Sequence, residues 1–183
     1  MINMLGLWEI SGLIFTVVVG TFLHSAYRWF GKNPVIGFFS PVNESVWEHL
    51  KLLFVPMVLF SLAEYFVVGK NYPNFAAAKS YGILWGILVI LMIHYTYTGI
   101  IGKSIVWADI TTFLVAVAAA TIYSWKMMLA APVSAESAIF SVILIILFAL
   151  FFALFTWDPP KIPLFLDPIS GGYGIHPKSA KKT

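Results

Sequence analysis

The sequence predicts an all-α integral membrane protein: a bundle of five transmembrane helices with a proline-rich C-terminal tail packed on one face. Three observations carry that prediction. Charged residues are only 10% of the 183-residue chain and hydrophobic ones are 60%, whereas a soluble domain carries about 25% charged residues. The apolar residues gather in five runs, each long enough for the roughly 20 helical residues that cross about 30 Å of hydrocarbon. Helix-stopping residues close several runs, namely Gly102, Pro132 and Asp158-Pro159-Pro160.

The first span covers about residues 7–29. The N-terminus lacks a basic n-region and a small-residue cleavage site, and Glu9 is acidic, so this run reads as a retained helix. The second covers about 41–68, with Ser40 as N-cap and Pro41 at the first helical position. Pro56 lies inside it and is expected to kink it. The third covers about 79–101, the fourth about 106–129 and the fifth about 134–157. Residues 1–157 thus form one transmembrane domain, and 158–183 a Pro/Gly-rich tail. No internal repeat indicates a paired-repeat transporter.

In the tail, prolines from Pro159 to Pro168 impose a stiff, extended path. The apolar residues between them call for a surface to bury against. Ile169 to Gly174 reads as a tight turn, and Lys178 to Thr183 as disordered.

Lys and Arg give the orientation. Arg28, Lys32, Lys51, Lys103, Lys161, Lys178, Lys181 and Lys182 fall on one side, against Lys70, Lys79 and Lys126 on the other. Eight against three predicts a cell-membrane protein with its N-terminus outside and its C-terminus cytoplasmic. A net charge of +3 spread over loops in this way is no nucleic-acid footprint. The absence of cysteine excludes disulfides, thiolate metal sites and cysteine nucleophiles. Oligomeric state is not legible.

Placing polar residues by depth, at about 1.5 Å per residue, gathers histidines into a layer. His24 lies about 8 Å in from the cytoplasmic end of the first span, His49 about 12 Å and His94 about 10 Å. Asp109 enters near the same level, while Glu9, Glu64 and Glu136 lie near the opposite face, where snorkelling to water is cheap. On the second helix, with Glu44 at zero, Glu48 sits near about 40°, Ser45 about 100°, His49 about 140° and Lys51 about 340°. Gly20 shares a face with His24 and would let a neighbouring helix approach closely.

Each of these residues has a structural reading beside the functional one. Glu44 in a first turn is explained by the helix dipole, and Lys51 is placed to pair with both glutamates. Asp109 could simply cap the fourth helix. Ser45, four residues from His49, could be a nucleophile or only polar filler near a helix start. Trp29, Trp47, Tyr95 and Tyr97 read as interfacial aromatics, and His176 in the tail as inert. His49 has no explanation from capping or dipole, and His24 and His94 share its depth. The functional weight therefore rests on Glu48 and His49, with His24 and His94.

Imidazoles with carboxylates suit Zn²⁺ or a similar divalent ion. His24, His49, His94 and Asp109 are the candidate metal ligands, and Glu48, Glu44 and Ser45 the candidate catalytic residues. A site near the headgroup level suits a lipid or lipid-linked substrate drawn from the bilayer. The expected activity is a metal-dependent intramembrane hydrolase. An ion- or proton-coupled transporter and a non-catalytic scaffold are the alternatives, and the clustered carboxylates argue against a haem pocket. The chemistry is loosely similar to that of the ceramidase and adiponectin-receptor hydrolases, but the five spans and the Asn43–His49 spacing depart from that pattern.

The run Ser40-Pro41-Val42-Asn43-Glu44-Ser45-Val46-Trp47-Glu48-His49-Leu50-Lys51, with Pro163-Leu164-Phe165-Leu166-Asp167-Pro168 and Tyr173-Gly174-Ile175, resembles a family of small multi-spanning prokaryotic membrane proteins of unknown function. The resemblance covers most of the chain. It implies the multi-spanning topology and assigns neither an activity nor site residues.

Overall fold

The computed structural model describes residues 4–175. His176 and the segment expected to be disordered, 178–183, lie outside the described residues. Six α-helices and no strand make up the described chain: α1 (Met4–Trp29), α2 (Pro34–Gly37), α3 (Val46–Val67), α4 (Phe75–Ile101), α5 (Val106–Met128) and α6 (Ala135–Trp157). All but the short α2 are long and apolar enough to cross a membrane. This is a multi-pass membrane protein.

The start of the second span differs from the sequence expectation. The helix begins at Val46 with Ser45 as its N-cap, the Ser45 hydroxyl accepting from Glu48 N. Ser40 is not a cap. Its hydroxyl donates to Leu23 O at 2.6 Å and accepts from Tyr27 N at 3.0 Å, tying the loop to the last turns of α1. Pro34, not Pro41, opens a helix, the single turn of α2, with Asn33 as its cap. The cause is local chemistry. Asn43 Oδ1 accepts Ser45 N in a tight turn, which favours a cap at Ser45 over a helix running back to Pro41. The shift takes Glu44 out of the first turn and leaves Glu48 as the first-turn acid.

The core forms where α3, α4 and α5 meet, around Leu50, Leu53, Ile83, Ile87, Ala116 and Ala120. α4 is the most buried span and α6 the least. Trp47 is not interfacial: it is 7% exposed and packs against Phe148, Phe152, Phe155 and Phe165. Phe165 belongs to a 3-10 turn after α6, Pro163–Phe165, so the chain beyond the last span returns to the start of α3.

The contact of α1 with α3 follows from two residues. Pro56 lies inside α3 and has no N–H, so the carbonyl of Leu52, four residues earlier, has no helical donor. Gly20 of α1 sits on that carbonyl: a Cβ at Gly20 would lie 2.5 Å from Leu52 O. The glycine lets the helices close over a carbonyl that the proline has freed.

Candidate metal centre

One end of the bundle brings together the end of α1, the start of α3, the end of α4, the start of α5 and the end of α6. Its most buried feature is an ion pair. Lys51 Nζ lies 2.6 Å from Glu48 Oε2, with side chains 0% and 2% exposed. Lys51 also donates to Gly37 O at 2.9 Å and to Thr156 Oγ1 at 2.6 Å. Glu48 Oε2 accepts Val42 N at 3.0 Å, and its Oε1 lies 3.0 Å from Thr156 Oγ1. Asn43 Nδ2 donates to Gly174 O, and Ile175 N to Thr156 O. The pair is desolvated but well satisfied, the condition under which a buried ion pair is tolerated. It fastens α2, the 38–45 loop, α3, α6 and the chain after α6 to one another.

That loop presents Glu44. Its Oε2 lies 3.4 Å from His49 Nε2 and 3.8 Å from His24 Nε2, with all three side chains about one-third exposed. His24 Nε2 and His49 Nε2 are 3.2 Å apart. His49 Nδ1 lies 2.9 Å from Ser45 O, a carbonyl that can only accept. In the neutral ring, the proton is therefore on Nδ1 and the lone pair on Nε2. Holding a ligating imidazole by its other nitrogen is the usual way such a ring is oriented toward a metal.

The spacing is suitable for an ion. Nitrogen and oxygen ligands about 2.0–2.2 Å from a tetrahedral Zn²⁺ stand roughly 3.3–3.6 Å from one another. The three separations here bracket that range, and the ligand atoms all lie within 4.8 Å of each other. Two imidazole nitrogens at 3.2 Å also need something between them, a proton or a cation. When His49 is protonated, the hydrogen bond from its Nε2 holds that loop carboxyl below its ordinary range, against the opposing effect of partial burial, and favours its ionised form. Arg28 is close enough to act electrostatically on His24 and Glu44.

His94 and Asp109, expected in the same ligand layer, instead pair with each other. His94 Nδ1 is 3.0 Å from Asp109 Oδ1. Tyr97 OH donates to the same carboxylate oxygen and Ser104 Oγ to the other. Asp109 is still near enough to act on the charge of His49, so the pair sits beside the His24–Glu44–His49 group. Among the described residues, that group alone brings three such side chains to metal-ligand spacing.

Glu48 and Ser45 are enclosed, at 1% exposure each, with their polar atoms committed to the ion pair and the cap. Thr156 went unnoticed in the sequence, since a threonine before an Asp-Pro-Pro stop carries no signal by itself.

A family of unknown function (DUF6512) matches residues 1–175. The chain belongs to this family. No curated protein matches it, and no solved structure matches it. The DUF6512 match spans the Ser40–Lys51 run and all five long helices.

Proposed function

We propose that this DUF6512 protein is a divalent-metal-dependent membrane hydrolase acting on a lipid or lipid-linked substrate at one face of the bilayer. The observation that carries the reading is the convergence of His24 Nε2, His49 Nε2 and Glu44 Oε2 at metal-ligand spacing. Two imidazoles and one carboxylate suit Zn²⁺ or a similar ion, and three protein ligands leave a coordination position open.

An ion held there would polarise a carbonyl or phosphoryl oxygen of the substrate. His94 is the proton acceptor in this reading: Asp109 takes its Nδ1, which leaves Nε2 with a lone pair. Asp109 orients the ring, and Tyr97 and Ser104 hold Asp109. Glu48 and Lys51 keep the loop carrying Glu44 in place. A bilayer substrate is supported by the site's position at the helix ends, its partial exposure, and the exposed Trp29, Ile100 and Trp107 near those ends. Arg28 beside the site suits an anionic headgroup. The positive-inside count would make this face cytoplasmic.

The test is metal binding. Purified protein in nanodiscs, stripped and titrated with Zn²⁺ in a calorimeter, is expected to take up one equivalent, and His49→Ala to take up none. Equal uptake by the two proteins, or none by either, contradicts the reading. The alternative, an ion- or proton-coupled transporter, has one specific observation in its favour: a buried set of charged residues at the other end of the bundle.

A further inference from the structure

The opposite end of the bundle joins the start of α1, the end of α3 and the start of α4 through Glu9, Glu64 and Lys79. Lys79 Nζ lies 2.7 Å from Glu9 Oε1 and 2.6 Å from Glu64 Oε2. Sequence depth placed both acids where side chains could snorkel to water. Instead Glu9 is 3% exposed and Glu64 0%. The charges do not balance: two carboxylates meet one ammonium, and among the described residues the charged groups acting on Glu64 are Lys79 and Glu9.

The two acids are not equivalent. Glu9 Oε1 receives Lys79 and also Ser124 Oγ at 3.3 Å. Among the described residues neither buried Glu64 oxygen has a hydrogen-bond partner; Oε2 has the ion-pair contact with Lys79, and Oε1 has no charged partner either. An uncompensated carboxylate oxygen in an apolar interior costs far more than a neutral hydroxyl left without a partner. A metal ion is a poor remedy, because the Lys79 ammonium already occupies the space between the carboxylates. A proton is the small cation that fits. A cavity of about 10 Å³ touches Glu9 and Lys79 but not Glu64, and its wall is part polar (Thr16, Ser61, Thr121) and part apolar (Gly12, Met57, Phe60). It has room for about one water next to the Glu9 and Lys79 side of the group.

We propose that Glu9, Lys79 and Glu64 form a proton-binding site within the membrane, which holds one exchangeable proton on Glu64 Oε1. Binding adds a proton to the carboxylate and leaves the site electrically neutral. Intramembrane carboxylates and lysines of this kind mark proton-handling sites in membrane proteins. The site lies at the far end of the bundle from His24, Glu44 and His49 and stands independently of the metal reading.

The count of protonated carboxyls tests it. Infrared spectra of the full chain in nanodiscs at neutral pH, with exchange into D₂O, report the C=O stretch of a protonated carboxyl. The parent is expected to show one such band at the high-frequency end of its range, as for a carboxyl without a hydrogen-bond acceptor. Glu64→Gln removes the carboxyl and the band. Glu9→Gln also removes the band, because the remaining carboxylate then pairs with Lys79. Lys79→Gln doubles it. No band in the parent, or a band that persists in both glutamate variants, overturns the proposal. A band at the low-frequency end overturns the placement on Glu64. Either glutamate variant gives the count if the other does not fold.

Discussion

His24 Nε2 and His49 Nε2 face each other at 3.2 Å across the contact between α1 and α3. These residues are 25 apart in sequence, and nothing local brings them together. The close approach of α1 to α3 at Gly20 and Leu52, one turn from His24 and close to His49, sets their separation.

Gly20→Ala is therefore expected to affect both stability and metal binding. Its Cβ would lie 2.5 Å from Leu52 O, a backbone atom that cannot rotate away. Overpacking of this kind costs about 1–3 kcal/mol. Thermal unfolding in detergent should show the loss, and Zn²⁺ titration should show weaker binding as the two histidines separate. The neighbouring change Thr21→Ala alters an exposed hydroxyl that, among the described residues, is bonded only to Val17 O, and should do neither.

Glu44 and Glu48 are four residues apart and should respond oppositely. Glu44→Gln weakens Zn²⁺ binding by about 100-fold or more while the unfolding midpoint holds, since a ligand is lost from a partly exposed site. Glu48→Gln leaves Lys51 buried at 0% exposure without its counter-ion. Breaking a buried pair in this way costs about 3–5 kcal/mol. The comparison is made by thermal unfolding and calorimetry on the same two proteins.

Thr156 ties α6 to that pair, so Thr156→Val should destabilise the protein by about 1–3 kcal/mol by leaving donors and acceptors unmet. Thr156→Ser keeps the hydroxyl and should restore most of it. Unfolding midpoints of the two variants give the answer.

Asp109 pairs with His94, and the proposed metal site does not use it. Asp109→Asn should leave Zn²⁺ uptake close to that of the parent. Hydrolysis of a bilayer-dispersed lipid substrate should fall by about 10²–10⁴-fold, the usual contribution of a positioned general base. Loss of zinc in this variant would place Asp109 among the ligands instead.

Much of the fold was legible in the sequence. Five long apolar runs are a strong signal because the bilayer dictates helix length. Residue count pointed to the end of the bundle where His24 and His49 meet. Which histidines meet was not legible. A depth expected from residue count carries no information about azimuth, and His94 pairs with Asp109 across the short α4–α5 connection. The roles of Glu44 and Glu48 depended on where α3 begins. With the helix starting at Val46 the dipole explanation moves from Glu44 to Glu48, and Glu44 becomes the residue that helix-end physics leaves unexplained. Glu9, Glu64 and Lys79 each lie within a turn or two of a helix end, yet burial by neighbouring helices, which no single-helix pattern encodes, decides their environment.

X-ray absorption at the zinc edge, on zinc-loaded protein in nanodiscs, tests the central claim most directly. The account predicts a shell of nitrogen and oxygen ligands at about 2.0–2.2 Å, with the outer-shell scattering of two imidazoles, reduced to one in His24→Ala or His49→Ala and unchanged in His94→Ala. A protein that retains no zinc, or a spectrum that His49→Ala leaves unaltered, would contradict it.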